Sequence, residues 1–262
     1  MNTDLTDAVE SAETAARQAG ALLLTMRGKI HPREKAPADL VTEADVASQQ
    51  LIFECLSARF PDFAFLGEED SNVSRSFNSD YRWIVDPLDG TTNYVHGLEN
   101  YCVSIGLQRQ DGQIAAGVIY DPNRDIVYSA VRGSGAFQNG QKLKTSPVRR
   151  LDQALVAASF PAKVARDSAE IRRFVEVLVR CQALRRLGSA ALNMCFVAAG
   201  RLDAYWATSV KTWDVAAGLL IIEESGGVVT DLNGHAVDLE RPRIVVGATP
   251  ELQAELAKVL RI

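Results

Sequence analysis

The sequence predicts an α+β half followed by an α/β half, packed as alternating layers of helix and sheet. Three observations carry that expectation. Two long stretches of helical periodicity open the chain. Short apolar runs follow, split by Asp111-Gly112, Asp121-Pro122-Asn123-Arg124 and Asn139-Gly140, the turn chemistry of antiparallel hairpins. From Leu155 onward strand-like and helix-like segments take turns. That change of rhythm sets a boundary near residue 150. It divides a 1–150 half from a 151–262 half of what reads as one structural unit.

Leu5, Ala8, Val9, Ala12, Ala16, Ala19, Leu22, Leu23 and Met26 recur at helical spacing, so a first amphipathic helix ends near Gly28. HPREKAPADL (31–40) contains two prolines and reads as a loop. A second helix spans 42–59, with Val46, Ile52, Cys55 and Leu56 on its apolar side and Pro61 closing it. FAFL before Gly67 and WIV before Asp86 read as short buried strands, and YCVSIGLQR, IAAGVIYD and IVYSAVRG as hairpin strands. AFQNGQKL turns at Asn139-Gly140. LVAAS, LDAYW, VVTD and RIVVGA read as strands; 168–180, 190–199 and 213–224 read as helices. Thr249 caps a last helix that opens on Pro250.

The 262 residues (28.5 kDa) are 47% apolar, ample for a sizeable core. A net charge of −5 and a pI near 5.3 point away from a nucleic-acid partner. They leave room for an enzyme of anionic substrates, because a bound metal inverts the local field. Cys55, Cys102, Cys181 and Cys195 are widely spaced and read as buried free thiols of a reducing compartment. The acidic start lacks a secretory pattern, and no apolar run approaches spanning length, so the expected location is the cytoplasm.

The chemistry concentrates in WIVDPLDGTTNYVHG (83–97), where an apolar run meets Asp86 and Asp89. Buried carboxylates are costly without a positive partner. The two acids, with the Leu88 carbonyl between them, suit a hard cation. Gly90 and Thr91 would then offer backbone N–H groups to a phosphate at the start of a short helix. The plainer alternative is that both acids form Asx-turns and a helix cap. Glu68 and its neighbours in LGEED read alone as a solvated loop. Asp214 in KTWDVAAGLLIIEESGG reads alone as a helix N-cap.

Together these segments resemble the inositol monophosphatase family, within the lithium-sensitive, magnesium-dependent phosphatase superfamily. The resemblance covers nearly the whole chain: DLVTEAD (39–45), LGEE (66–69), WIVDPLDGTTNYVHG, GSGAFQNGQKL (133–143), LGSAALNMCFVAAGRLDAYW (187–206) and TWDVAAGLLIIEESGG (212–227). It implies the layered α-β-α-β-α sandwich of the sugar-phosphatase type. It implies Glu68, Asp86, the Leu88 carbonyl, Asp89 and Asp214 as ligands of two or three Mg²⁺ ions. It counts Glu68 with the catalytic groups and pairs Thr91 as proton acceptor with Asp45, although Thr42-x-x-Asp45 also matches a capping box. Gly90, Thr91, Thr92, Gly188, Ser189 and Ala190 would contact substrate, and Lys35 would assist.

His31, His96 and His235 show no ligand spacing, and Trp213 and Tyr205 read as core. The family's glutamate seven residues before the downstream aspartate is Ala207 here, which weakens inositol phosphate as the sole substrate. The implied protein is a homodimeric phosphomonoesterase for a small polyol phosphate, foremost inositol 1-phosphate. Histidinol phosphate, fructose 1,6-bisphosphate, 3′-phosphonucleotides and a regulatory role with RNA or the transcription machinery are the alternatives.

Overall fold

The computed structural model describes residues 5–29, 33–36, 39–69 and 77–262. His31 and Asp70 lie outside them, and Lys35 is described by its backbone alone. Helix α1 (Leu5–Met26) buries Ala8, Ala12, Ala15, Ala16, Ala19 and Leu23 along one stripe. The expected loop that follows is partly a hairpin: β1 (Arg33–Ala36) pairs antiparallel with β2 (Asp39–Val41). Strands this short carry no alternation to read. Thr42 caps α2 (Glu43–Arg59), whose Ile52 and Leu56 are buried. Val46, expected beside them, is 54% exposed. It precedes Ile52 by six residues, which rotates it about 120° off that face.

Strand β3 (Ala64–Gly67) runs parallel to β4 (Tyr81–Asp89). After the short α3 (Thr91–Val95), an antiparallel run continues through β5 (Cys102–Arg109), β6 (Ile114–Asp121), β7 (Ile126–Val131), β8 (Gly135–Gln138) and β9 (Gln141–Lys142). These seven strands pair in chain order. The β8–β9 turn is Asn139-Gly140, both at positive φ, as a two-residue hairpin loop requires.

The second half comprises β10 (Leu155–Ser159), α4 (Ala169–Leu178), β11 (Ala183–Arg185), α5 (Ala190–Ala198), β12 (Ala204–Ala207), α6 (Thr212–Glu224), β13 (Val228–Thr230), β14 (Ile244–Gly247) and α7 (Pro250–Leu260). Its sheet, ordered β11-β10-β12-β14-β13, is parallel across β11-β10-β12 and antiparallel beyond. The three-residue β11 was not anticipated.

Helices α1 and α2 cover one face of the seven-stranded sheet. Helices α5 and α6 pack on its other face and against the five-stranded sheet. Helices α4 and α7 cover the far side of that second sheet. The expected α-β-α-β-α sandwich therefore forms. The middle layer explains why α5 and α6 read as apolar on every side: Val215 to Ile222 is continuously buried. Gly117 lets α6 approach, since a Cβ there would sit 2.9 Å from Ala217 Cα. One core unites Ile84, Ile119 and Tyr128 with Ala157, Tyr205 and Val246, from both sides of residue 150.

Candidate active site

The site begins with a bulge. Pro87 does not turn the chain out of the sheet after Asp86; β4 continues to Asp89. Asp86 pairs with Ser104 and Asp89 with Cys102, three steps on β4 against two on β5. Residues three apart on a regular strand face opposite sides of the sheet. The extra residue shifts that parity and brings both aspartates to one side. Pro87, which has no N–H to pair, fits at such an irregularity.

Asp214 arrives from the other side. It is the third residue of α6 and not its N-cap; its Oδ2 reaches back to accept from the Lys211 N–H at 2.7 Å. One oxygen from each of Asp86, Asp89 and Asp214 lies within 4.8 Å of the others. At an effective dielectric near 20, each charged pair at that spacing repels by on the order of 3 kcal/mol. Such a cluster takes up protons or cations.

The titration directions agree. Burial lifts the Asp86 carboxyl well above the usual range, and the charges of Glu68, Asp89 and Asp214 lift it further. Burial and the Asp89 charge push Asp214 up to about 7, against the pull of the Lys211 N–H. Asp214 keeps surface on a cavity while sitting deep in the protein. Asp89 is also raised by burial, with its hydrogen bonds pulling the other way.

Those hydrogen bonds come from the start of α5. Ser189 Oγ and the Ala191 N–H donate to Asp89 Oδ2 at 2.5 and 2.7 Å, and the Ala190 N–H donates to Oδ1 at 3.2 Å. The end of one sheet thus caps a helix in the next layer. Ser189 was expected against substrate; it is wholly buried, holding Asp89 and accepting from the Leu192 N–H. A helix-opening serine looks like an ordinary cap in sequence, so this link across 100 residues carries no local signal.

Asp45 serves both readings given to it. Oδ2 accepts from Thr42 N and Oγ1 at 2.8 and 2.6 Å, completing the capping box. Oδ1 accepts from Thr91 Oγ1 at 3.1 Å. That hydroxyl lies equally close to the Leu88 carbonyl, at 3.1 Å. Gly90, before Thr91, has φ +97°, and a Cβ there would meet the Asn100 carbonyl oxygen at 3.0 Å. Gly90→Ala is expected to cost about 1–2 kcal/mol of stability, measured by urea unfolding at fixed metal concentration.

Residues 4–262 match the model of the Inositol monophosphatase family. The chain belongs to that family. It is 40% identical over 254 residues to an inositol-1-monophosphatase of Mesorhizobium japonicum, covering 94% of this chain and 93% of that one. It is 39% identical over 249 residues to the Nus factor SuhB of Pasteurella multocida, covering 94% and 92%. The extragenic suppressor protein suhB of Bartonella henselae superposes with a TM-score of 0.92 at 37% identity, over 97% and 98% of the two chains. A LiCl-soaked inhibitory complex of staphylococcal inositol monophosphatase-1 superposes at 0.88 with 26% identity, over 100% and 97%.

As an inositol monophosphatase family member, the protein is a metal-dependent phosphatase whose acidic cluster opens onto a cavity of about 1080 Å³. Glu68, Asp89 and Asp214 line it, with Thr92, Gly188 and Ala190 from the expected substrate set. Trp213, expected in the core, is only partly buried and also lines the cavity. Tyr205 is core as expected. Ala207 is fully buried in register with Ile244, and its neighbour Thr208 faces the cavity instead. His96 closes α3 and is exposed. All four cysteines are free, but only Cys102 and Cys195 are buried. Sequence reasoning missed Arg186, Arg241 and Arg243, which line the same cavity. Exposed loop arginines look like solvated surface.

Proposed function

We propose that this protein is a Mg²⁺-dependent phosphomonoesterase of small polyol phosphates, with inositol 1-phosphate as the reference substrate. The observation that carries the reading is the convergence of Asp86, Asp89 and Asp214, from two layers, beside a cavity that Asp89, Asp214 and Glu68 line. An all-oxygen, multiply charged donor set fits hard divalent cations. Glu68, Asp86, the Leu88 carbonyl, Asp89 and Asp214 would hold two or three of them. Bound there, the ions supply Lewis acidity: charge neutralisation for phosphoryl oxygens and a more acidic water.

The chain's own residues do the rest. Thr91 Oγ1 donates to Asp45 Oδ1, so its oxygen is free in electron-pair terms to accept a proton from the attacking water. A threonine is a weak base alone; passing its proton to Asp45 makes it competent. Ser189 and the first N–H groups of α5 fix the Asp89 carboxylate, which acts as a ligand with its orientation set in advance. Thr92, Gly188 and Ala190 would border the substrate. Asp45 and the acidic set belong to a cytoplasmic homodimer in this reading; among the described residues no helix is long and apolar enough to cross a membrane.

Phosphate release from inositol 1-phosphate, histidinol phosphate, fructose 1,6-bisphosphate and a 3′-phosphonucleotide tests the reading. Turnover that requires Mg²⁺ and is inhibited uncompetitively by millimolar lithium is expected. Negligible kcat/KM for every one of them, with Mg²⁺ present, sinks it. The Nus factor name of the Pasteurella relative favours a second reading, a role with the transcription machinery. Such a role needs no turnover, so a turnover-dead variant that still complements a deletion would favour it.

A further inference from the structure

The cavity that receives the acidic cluster is also lined by Arg186, Lys211, Arg241 and Arg243, with Glu240 as the one carboxylate near them outside the cluster. Arginines elsewhere on this protein are commonly spent on partners: Arg124 on Asp121, Arg173 on Glu170, Arg180 on Glu176. Among the described residues, none of the four cavity cations forms an ion pair. Exposed and unpaired, they concentrate positive charge at a concave surface, where a field draws in anions.

Two features set these arginines apart from freely moving surface chains. Arg186 donates from Nη2 to the Phe160 carbonyl at 2.8 Å, and its guanidinium lies 4.3 Å from the Phe160 ring centre. Stacked and tethered, it presents its remaining donors with less entropy to lose. Arg241 and Arg243 flank Pro242, which is buried, and the chain enters β14 directly afterwards at Ile244. The Arg241 N–H donates to the Asp238 carbonyl at 3.2 Å, which turns the chain just before it enters the strand. Lys211 is nearer the chemistry: its N–H binds Asp214 and its charge lowers the Asp214 pKa.

The scissile phosphate belongs, in the phosphatase reading, to the acidic cluster and its cations. Three arginines in the same cavity therefore have a different anion to meet. We propose that Arg186, Arg241 and Arg243 form a second anion subsite, so that the enzyme favours phosphomonoesters carrying a further phosphate or carboxylate over neutral-ended polyol phosphates. Planar guanidinium groups suit both anions through paired N–H donors. This inference rests on the phosphatase reading and deepens it.

The test compares kcat/KM for fructose 1,6-bisphosphate, 3-phosphoglycerate and inositol 1-phosphate in the wild type and in the triple variant Arg186→Gln, Arg241→Gln, Arg243→Gln. The wild type is expected to favour the two substrates with a second anion. In the variant, their kcat/KM relative to inositol 1-phosphate falls about tenfold or more, the size of one lost charge-assisted hydrogen bond. A loss confined to the bisphosphate assigns the subsite to phosphate; equal loss on both assigns it to either anion. Equal loss on all three substrates means the arginines serve the scissile phosphate, and no relative loss means they are solvated surface; either overturns the proposal. The triple Lys variant, which keeps the charge, should recover part of the ratio, and matched melting curves exclude misfolding. If the wild type hydrolyses none of the three, nor histidinol phosphate nor a 3′-phosphonucleotide, the phosphatase reading fails. Calorimetric titration of the same ligands then decides the subsite: weaker binding of the charged-ended pair by the Gln variant upholds it, and equal binding overturns it.

Discussion

Asp86→Asn is expected to melt at a higher temperature than the wild type without divalent metal, and to lose about a thousandfold in turnover, or ~4 kcal/mol of transition-state stabilisation. The two effects share one cause. Asp86 is almost wholly buried, and its carboxyl is driven toward the protonated form by burial and by three neighbouring acids. An asparagine keeps the acceptor that the Leu88 N–H uses at 3.0 Å. Its NH₂ can also face Asp214, an oxygen of which lies within 4.8 Å of an Asp86 oxygen. The substitution removes repulsion and keeps the contacts. It also removes a charged ligand, so metal should no longer stabilise the fold as it does in the wild type.

The pH dependence follows with a definite sign. Asp86, Asp89 and Asp214 all have folded-state pKa values raised above 3.8, with Asp214 at about 7. Between about pH 4 and 7 the folded metal-free protein binds more protons than the unfolded chain, so its stability falls as pH rises through that window. Mg²⁺ replaces those protons, and its stabilising effect should grow over the same range. Melting curves at pH 5 and pH 8, with and without Mg²⁺, measure both slopes; Asp86→Asn should flatten them. A metal-free wild type that gains stability between pH 5 and 7 would contradict the account.

What could be read in advance depended on how local each feature was. The hairpins around Asp111-Gly112 and Asn139-Gly140 announce themselves in a few residues, and the alternating strands between them leave little choice of fold. The three-residue β11 and the β1–β2 hairpin are too short to show a period. In the site, the identity of the acids was legible because each motif is compact. Their convergence followed from the family resemblance, because locally Asx-turns and a cap fit as well, and Asp86 and Asp89 sit on one side only through a bulge that Pro87 merely permits. Ser189 and Asp89 meet across layers, so neither neighbourhood names the other. The arginines lie on loops, where charge has no pattern to distinguish a binding wall from solvent.

Asp45 supplies the sharpest separation of structure from chemistry. Its two oxygens divide the work: Oδ2 serves the cap of α2 and Oδ1 serves Thr91. In Asp45→Asn the amide oxygen must face Thr42, because the Thr42 N–H can only donate. The NH₂ then faces Thr91 and reverses that hydrogen bond. Thr91 becomes the acceptor, its lone pair is engaged, and it cannot hand a proton on. Stability should stay within about 1 kcal/mol, since the cap is kept, while kcat falls about 10²–10⁴-fold with the lost base. Asp45→Ala should lose both. Thr91→Val removes the other half of the relay and should match Asp45→Asn in kcat, with the double variant little worse than either single one. Additive losses in that cycle would mean that the two residues act separately, and an undiminished kcat in Asp45→Asn would mean that Asp45 is a capping residue alone.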